Sequence, residues 1–156
     1  MDRIESLYSQ HGPDLLRYLQ RAFAQSAGAE DLLQETFLRA MVGRERLQSA
    51  VSARAWLFGI ARNVGLDAVR RPRPGGLPDE LAAPWPRAED DRLEMVRAAM
   101  DRLPPDQREA LELRLTGELS YEEIASVTGV PVGTVRSRLH HAVRRLRGAL
   151  NVEPGG

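Results

Sequence analysis

The side chains able to do chemistry in this 156-residue chain are few in kind and unevenly placed. Cysteine is absent and histidine occurs three times, at His11, His140 and His141. A zinc-type site needs three or four converging ligands. His140 and His141 are neighbours, so on a helix they point to different sides, and His11 lies far away in the sequence. No metal and no cofactor is expected. No nucleophile–base pairing and no phosphate-cradling glycine loop is visible, and the acids scatter into the first turns of helices, so the chain is not expected to be an enzyme. What remains is arginine. All 22 basic residues are arginine, balanced by 22 acids, and the formal net charge is zero. Any affinity for a polyanion must therefore come from local charge. Residues 131–156 hold five arginines (136, 138, 144, 145 and 147) against Glu153 alone, and residues 54–73 hold five against Asp67 alone. Between them, residues 93–130 carry eight acids against four arginines. Segregation of this kind suits two phosphate-binding faces in one chain.

The C-terminal basic patch is organised by Ser120–Leu146. Ser120 followed by Glu123 spells a capping box, and Gly129 is the residue type that ends a helix in the left-handed region. Pro131 then suits the first turn of a second helix. In that second helix Val135, Leu139, Val143, Leu146 and Leu150 are expected to form the buried stripe. Arg136, Ser137, His140, His141 and Arg144 lie opposite. This order of cap, helix, glycine turn and basic helix is the helix-turn-helix pattern, whose second helix enters the DNA major groove by its N-terminal part.

The remaining elements are also helical by periodicity. Arg3–Ala24 carries an apolar stripe, with a kink or break expected at Gly12-Pro13. Glu30–Met41 is expected to bury Leu33, Phe37 and Met41, leaving Asp31, Gln34, Glu35 and Leu38 largely outward. Residues 43–51 read as a loop. Ser52 can cap a third helix, Ala53–Arg71, with Trp56, Ile60, Val64 and Ala68 inward beside Leu57 and Ala61. Arg54, Arg62, Asn63, Arg70 and Arg71 are left for solvent or a ligand. Residues 72–92 are rich in proline, with two glycines and no apolar periodicity, and read as a linker. Helices at Leu93–Leu103 and Asp106–Leu115 precede the helix-turn-helix. The fold class is all-α, with two small helical domains at 1–71 and 93–156 joined by the linker, and nothing in the linker to weld them into one arrangement. Neither a signal peptide at Met1–Gln10 nor a membrane-length apolar run is present, so a cytoplasmic location with no membrane contact of its own is expected.

Taken together, these strings resemble the bacterial sigma-70 family, in its compact extracytoplasmic-function (ECF) group. AEDLLQETFLRA (29–40) and ARAWLFGIARN (53–63) resemble the sigma-2 domain. LPPDQREALELR and SYEEIASVTGVPVGTVRSRL resemble sigma-4. The resemblance implies a transcription initiation factor that binds RNA polymerase core, through its clamp helices and flap, and directs it to promoter DNA. It implies core contacts at Asp31, Gln34, Glu35 and Leu38. It implies contacts to the −10 element from Arg54, Arg62, Asn63, Asp67, Arg70 and Arg71. Contacts to the −35 element fall to Thr134, Arg136, Ser137, Arg138, His140, His141 and Arg144. An anti-sigma protein is the further partner implied. The rival is a stand-alone helix-turn-helix regulator acting without core polymerase. Residues 46–52 depart from the family pattern, having neither its aromatic residue nor its glycine.

Overall fold

The computed structural model describes residues 3–23, 28–70 and 91–151. Among them the regular elements are seven α-helices: α1 (Arg3–Ala22), α2 (Ala29–Val42), α3 (Ala53–Arg70), α4 (Asp91–Asp101), α5 (Pro105–Leu115), α6 (Tyr121–Thr128) and α7 (Val132–Ala149). A 3-10 turn, Arg44–Ser49, stands where a loop was expected. The all-α class is as the sequence indicated. The expected linker lies almost wholly outside the described residues, and α4 begins within its last two positions, at Asp91.

α1, α2 and α3 pack on one another around Leu15, Tyr18, Leu19, Leu33, Phe37, Leu57, Phe58 and Ala61. The Tyr18 ring meets Phe58 edge-on at 5.3 Å and Phe23 at 6.1 Å. Gly65 is where α3 passes the Phe23 ring, and a Cβ there would lie 2.4 Å from it, so only glycine permits the approach. The break expected at Gly12-Pro13 does not occur. α1 runs through Pro13, whose missing N–H removes one helical bond, while Leu7, Leu15 and Tyr18 are buried on either side of it and hold both segments to the same core.

α5, α6 and α7 form the second cluster, with α4 against α7. Leu111, Leu113, Leu119, Ile124, Val127, Val135, Leu139 and Ala142 are buried in it. In α7 the inward stripe passes from Leu139 to Ala142 rather than to Val143, which is exposed, because a 3.6-residue helix meeting two neighbours buries an arc wider than one row.

The halves also pack on each other, α3 against α6 and α1 against α5. The buried residues of both halves form one continuous cluster. The linker sequence carries no apolar periodicity that could weld the halves. The weld lies on helix faces instead. It explains why α3 buries Ala55, Leu57, Phe58, Ala61, Val64 and Gly65, whereas Trp56, Ile60 and Ala68 are only half-buried. A helix with neighbours on two sides cannot be read as having one inner stripe.

Candidate protein and nucleic-acid interfaces

The helix-turn-helix is built by local chemistry. Ser120 Oγ accepts from the Glu123 N–H at 3.1 Å, and a Glu123 carboxyl oxygen accepts from the Ser120 N–H at 2.9 Å, completing the capping box. Gly129 turns the chain at φ 73° and donates its N–H to Ala125 O at 2.9 Å. Pro131 O then accepts from the N–H groups of Thr134 and Val135, starting α7. Leu139 and Val135 anchor α7 inward, which puts Arg136, Ser137, His140, His141 and Arg144 on the exposed side together. Thr134 and Arg138 are half-buried beside them, and Arg138 Nε lies 3.6 Å from the exposed carboxylate of Asp106. That pair is solvent-screened and weak enough to yield to a phosphate.

On α2, Asp31, Gln34, Glu35 and Leu38 fall at i, i+3, i+4 and i+7 and are all exposed. Glu35 Oε1 accepts from Arg39 Nε at 3.1 Å, and Arg39 Nη1 donates to Asp67 Oδ2 on α3 at 3.0 Å. Met41, expected inward, is half exposed, and Ala40 takes the core position in its place. With Val42 at 83% and Leu38 at 58% exposure, Met41 extends the acidic face into an apolar one. The four-residue spacing Leu33–Phe37–Met41 concealed this, although a run of Leu38, Met41 and Val42 at i, i+3 and i+4 is itself a helical row.

On α3 the expected DNA-binding residues divide into two groups. Asn63 and Arg70 are exposed, with Asp67 between them at helical spacing, and Arg71 lies outside the described residues. Arg54 and Arg62 sit on a separate row with Phe58, and both turn to other elements. Arg54 Nε donates to Gly117 O at 2.7 Å, Nη2 to Asp14 at 2.8 Å and Nη1 to His11 Nδ1 at 2.9 Å. Since guanidinium only donates, His11 accepts at Nδ1 and is the neutral tautomer. Burial and the adjacent Arg54 charge hold its pKa below the ordinary value despite Asp14. Burial pushes the Asp14 carboxyl up, but Arg54 and Arg17, which also pairs with it, outweigh this and hold it below the usual range. Arg62 Nε donates to Glu109 Oε2 at 2.8 Å. On α1, Arg21 Nε meets Glu112 Oε1 at 2.7 Å, with both side chains nearly buried, and burial raises the Glu112 pKa in spite of the arginine.

Among the described residues no group of three or more acids or histidines converges as a metal site would require. No helix there is long and apolar enough to cross a membrane.

An acidic-apolar exposed face on α2 and a basic exposed face on α7 thus stand in different halves of the described residues. The sequence profile described as Sigma-70 region 2 matches residues 7–74, and that of Sigma-70, region 4 matches residues 93–146. The chain is 36% identical over 154 residues to the ECF RNA polymerase sigma factor SigL of Mycobacterium tuberculosis, covering 92% of this chain and 86% of SigL. It is 35% identical over 153 residues to the RNA polymerase sigma factor CarQ of Myxococcus xanthus, covering 94% and 88%. The chain belongs to the sigma-70 family, in its ECF group. Among solved structures, the sigma factor RpoE in complex with the anti-sigma factor NepR from Bartonella quintana is similar at TM-score 0.66 and 25% identity, covering 96% of this chain and 99% of that one. CnrH in complex with the cytosolic domain of CnrY is similar at 0.68 and 26%, covering 96% and 88%. Scores of that size over 96% of the chain are out of reach of either half superposed alone, so both halves are placed in a related way.

Proposed function

We propose that this chain is a promoter-specificity factor for RNA polymerase that divides its work between two exposed faces. α2 offers Asp31, Gln34, Glu35, Leu38 and, beyond the sequence expectation, Met41 to the polymerase core. An acidic rim around an apolar strip suits a basic helical partner, the charges steering and the apolar groups holding. α7 offers Arg136, Ser137, Arg138, His140, His141, Arg144 and Thr134 to the −35 element, where a bidentate arginine on guanine discriminates by about 1–3 kcal/mol. α3 offers Asn63, Asp67 and Arg70, with Arg71, to the −10 element, and Arg54 and Arg62 when they are not engaged elsewhere. The division into 1–71, 72–92 and 93–156 follows these duties. Neither catalysis nor a cofactor belongs to this role, and the place of action is the cytoplasm, where core polymerase and promoters are found. Two similar proteins have been solved with anti-sigma factors. An anti-sigma protein covering α2's exposed Leu38, Met41 and Val42 is therefore the partner expected to hold this chain inactive.

The observation that carries the reading is the acidic-apolar α2 face, for which a stand-alone DNA-binding regulator has no use. Replacing Asp31 and Gln34 together with alanine is expected to abolish core binding and transcription. Far-ultraviolet circular dichroism and affinity for bare DNA should stay unchanged, because both side chains are exposed. A double variant that still competes for core polymerase would remove the assignment.

A further inference from the structure

One acid stands on the basic face of α3. Between residues 54 and 73 Asp67 is the sole acid among five arginines. It lies four residues after Asn63 and three before Arg70, so the three share one helical row. DNA brings phosphates to such a row, and a bare carboxylate beside them repels. The Asp67 carboxylate is not bare. Arg39 reaches over from α2, and its Nη1 donates to Asp67 Oδ2 at 3.0 Å. The same guanidinium donates from Nε to Glu35 Oε1 at 3.1 Å, one turn back on α2. The hydrogen bond to Asp67, more than that to Glu35, raises the Arg39 pKa, and burial opposes it.

The pair is too wet to matter much for the fold. The Arg39 side chain is 34% exposed and that of Asp67 43%, and an ion pair in such surroundings adds little stability. Buried side chains, Leu33, Phe37 and Ala61 among them, already hold α2 and α3 together. What the pair changes is the charge that the row presents. With Arg39 in place the Asp67 charge is cancelled and Arg70 leaves the row positive. Without Arg39, Asp67 would cancel Arg70 instead. The bond also fixes the side chain. A carboxylate tied to α2 through one oxygen keeps the other as an acceptor for a base amino group such as N4 of cytosine.

We propose that Arg39, on the helix assigned to core polymerase, is a positioning residue for the −10 element, cancelling the Asp67 charge and orienting its carboxylate so that DNA can approach Asn63 and Arg70. This rests on the assignment of the row Asn63, Asp67 and Arg70 to the −10 element made above.

Holoenzyme reconstituted with the full-length chain tests it, with core saturated and a genomic promoter fragment retained by the wild-type holoenzyme as probe. Arg39→Gln removes the charge and keeps a long, helix-forming side chain. It is expected to weaken promoter binding about fivefold, the effect of one uncancelled carboxylate close to phosphate. The deficit should narrow as salt is raised, because repulsion is screened whereas a packing defect is not. Adding Asp67→Asn to Arg39→Gln should return affinity to within about twofold of Asp67→Asn alone. Arg39→Lys keeps the charge and should bind nearly as wild type, and a loss equal to that of Arg39→Gln would overturn the proposal. Unchanged binding by Arg39→Gln would overturn it too. So would a loss that persists undiminished in the Asp67→Asn background, since Arg39 would then be meeting DNA itself. Asp67→Asn alone separates the proposal from the assignment beneath it. Altered base choice at one −10 position, with Arg39→Gln without effect, would keep the row and sink the proposal alone. Neither effect would remove Asp67 from the −10 interface and the proposal with it.

Discussion

Glu123 serves two elements at once. Its carboxylate caps α6 through the Ser120 N–H and receives the Ser52 hydroxyl from α3. Burial pushes its pKa up, but these hydrogen bonds and the nearby Arg54 charge outweigh burial and hold it below 4.5. A carboxyl depressed in the folded state stabilises the fold above its unfolded pKa, and this contribution is lost as pH falls through the folded value. Asp14 acts in the same direction. Glu112 acts in the opposite one, because its raised pKa makes protonation favour the folded chain. Glu123→Gln is therefore expected to flatten, but not abolish, the fall in stability below pH 4.5. Urea midpoints measured from pH 6 to pH 3 on variant and wild type check this, and parallel curves would show that the carboxyl is not held down.

At the scale of the element, the role proposed for α7 divides base reading from phosphate binding along its length. Arg136 stands one turn into the helix on its exposed side, where side chains reach base edges. Arg147 stands three turns further on, where a straight helix leaves a curved duplex and meets only its backbone. Arg136→Ala is expected to relax choice at one −35 position. Arg147→Ala should weaken binding alike for all sequences and lower the salt slope by about one unit. Selection from a promoter library by holoenzyme at two salt concentrations distinguishes the two, and uniform loss for Arg136→Ala would make it another phosphate clamp. The elements themselves were largely legible in the sequence. The Ser120–Glu123 box, the left-handed Gly129 and the Ser52 cap are short-range devices whose partners lie within four residues. Arg54 and Arg62 were not legible, because the groups that hold them lie 63 and 47 residues away. Met41 was misplaced for a related reason: spacing gives the period of a helix but not how wide an arc its neighbours cover.

At the scale of the whole molecule, the seam where α3 meets α6 and α1 meets α5 joins the buried residues of both halves into one cluster among the described residues. Thermal unfolding of the wild-type chain at neutral pH is expected to be a single transition, with calorimetric and van't Hoff enthalpies in agreement. Two resolved transitions would mean that the halves melt separately and that the seam contributes little. The double use proposed for α3 also bears on how a chain of this kind can diverge over generations. Arg62 is bonded to Glu109 and is also proposed to meet the promoter, so on that proposal a mutation there that altered which genes are read would at the same time loosen the packing of α3 on α5. The two traits would then be inherited together until a compensating change arose in α5. Lineages would more readily acquire new target genes through α7, where Arg136, Ser137 and His140 are exposed, and the ancestral pairing of α3 with α5 would persist beneath that variation.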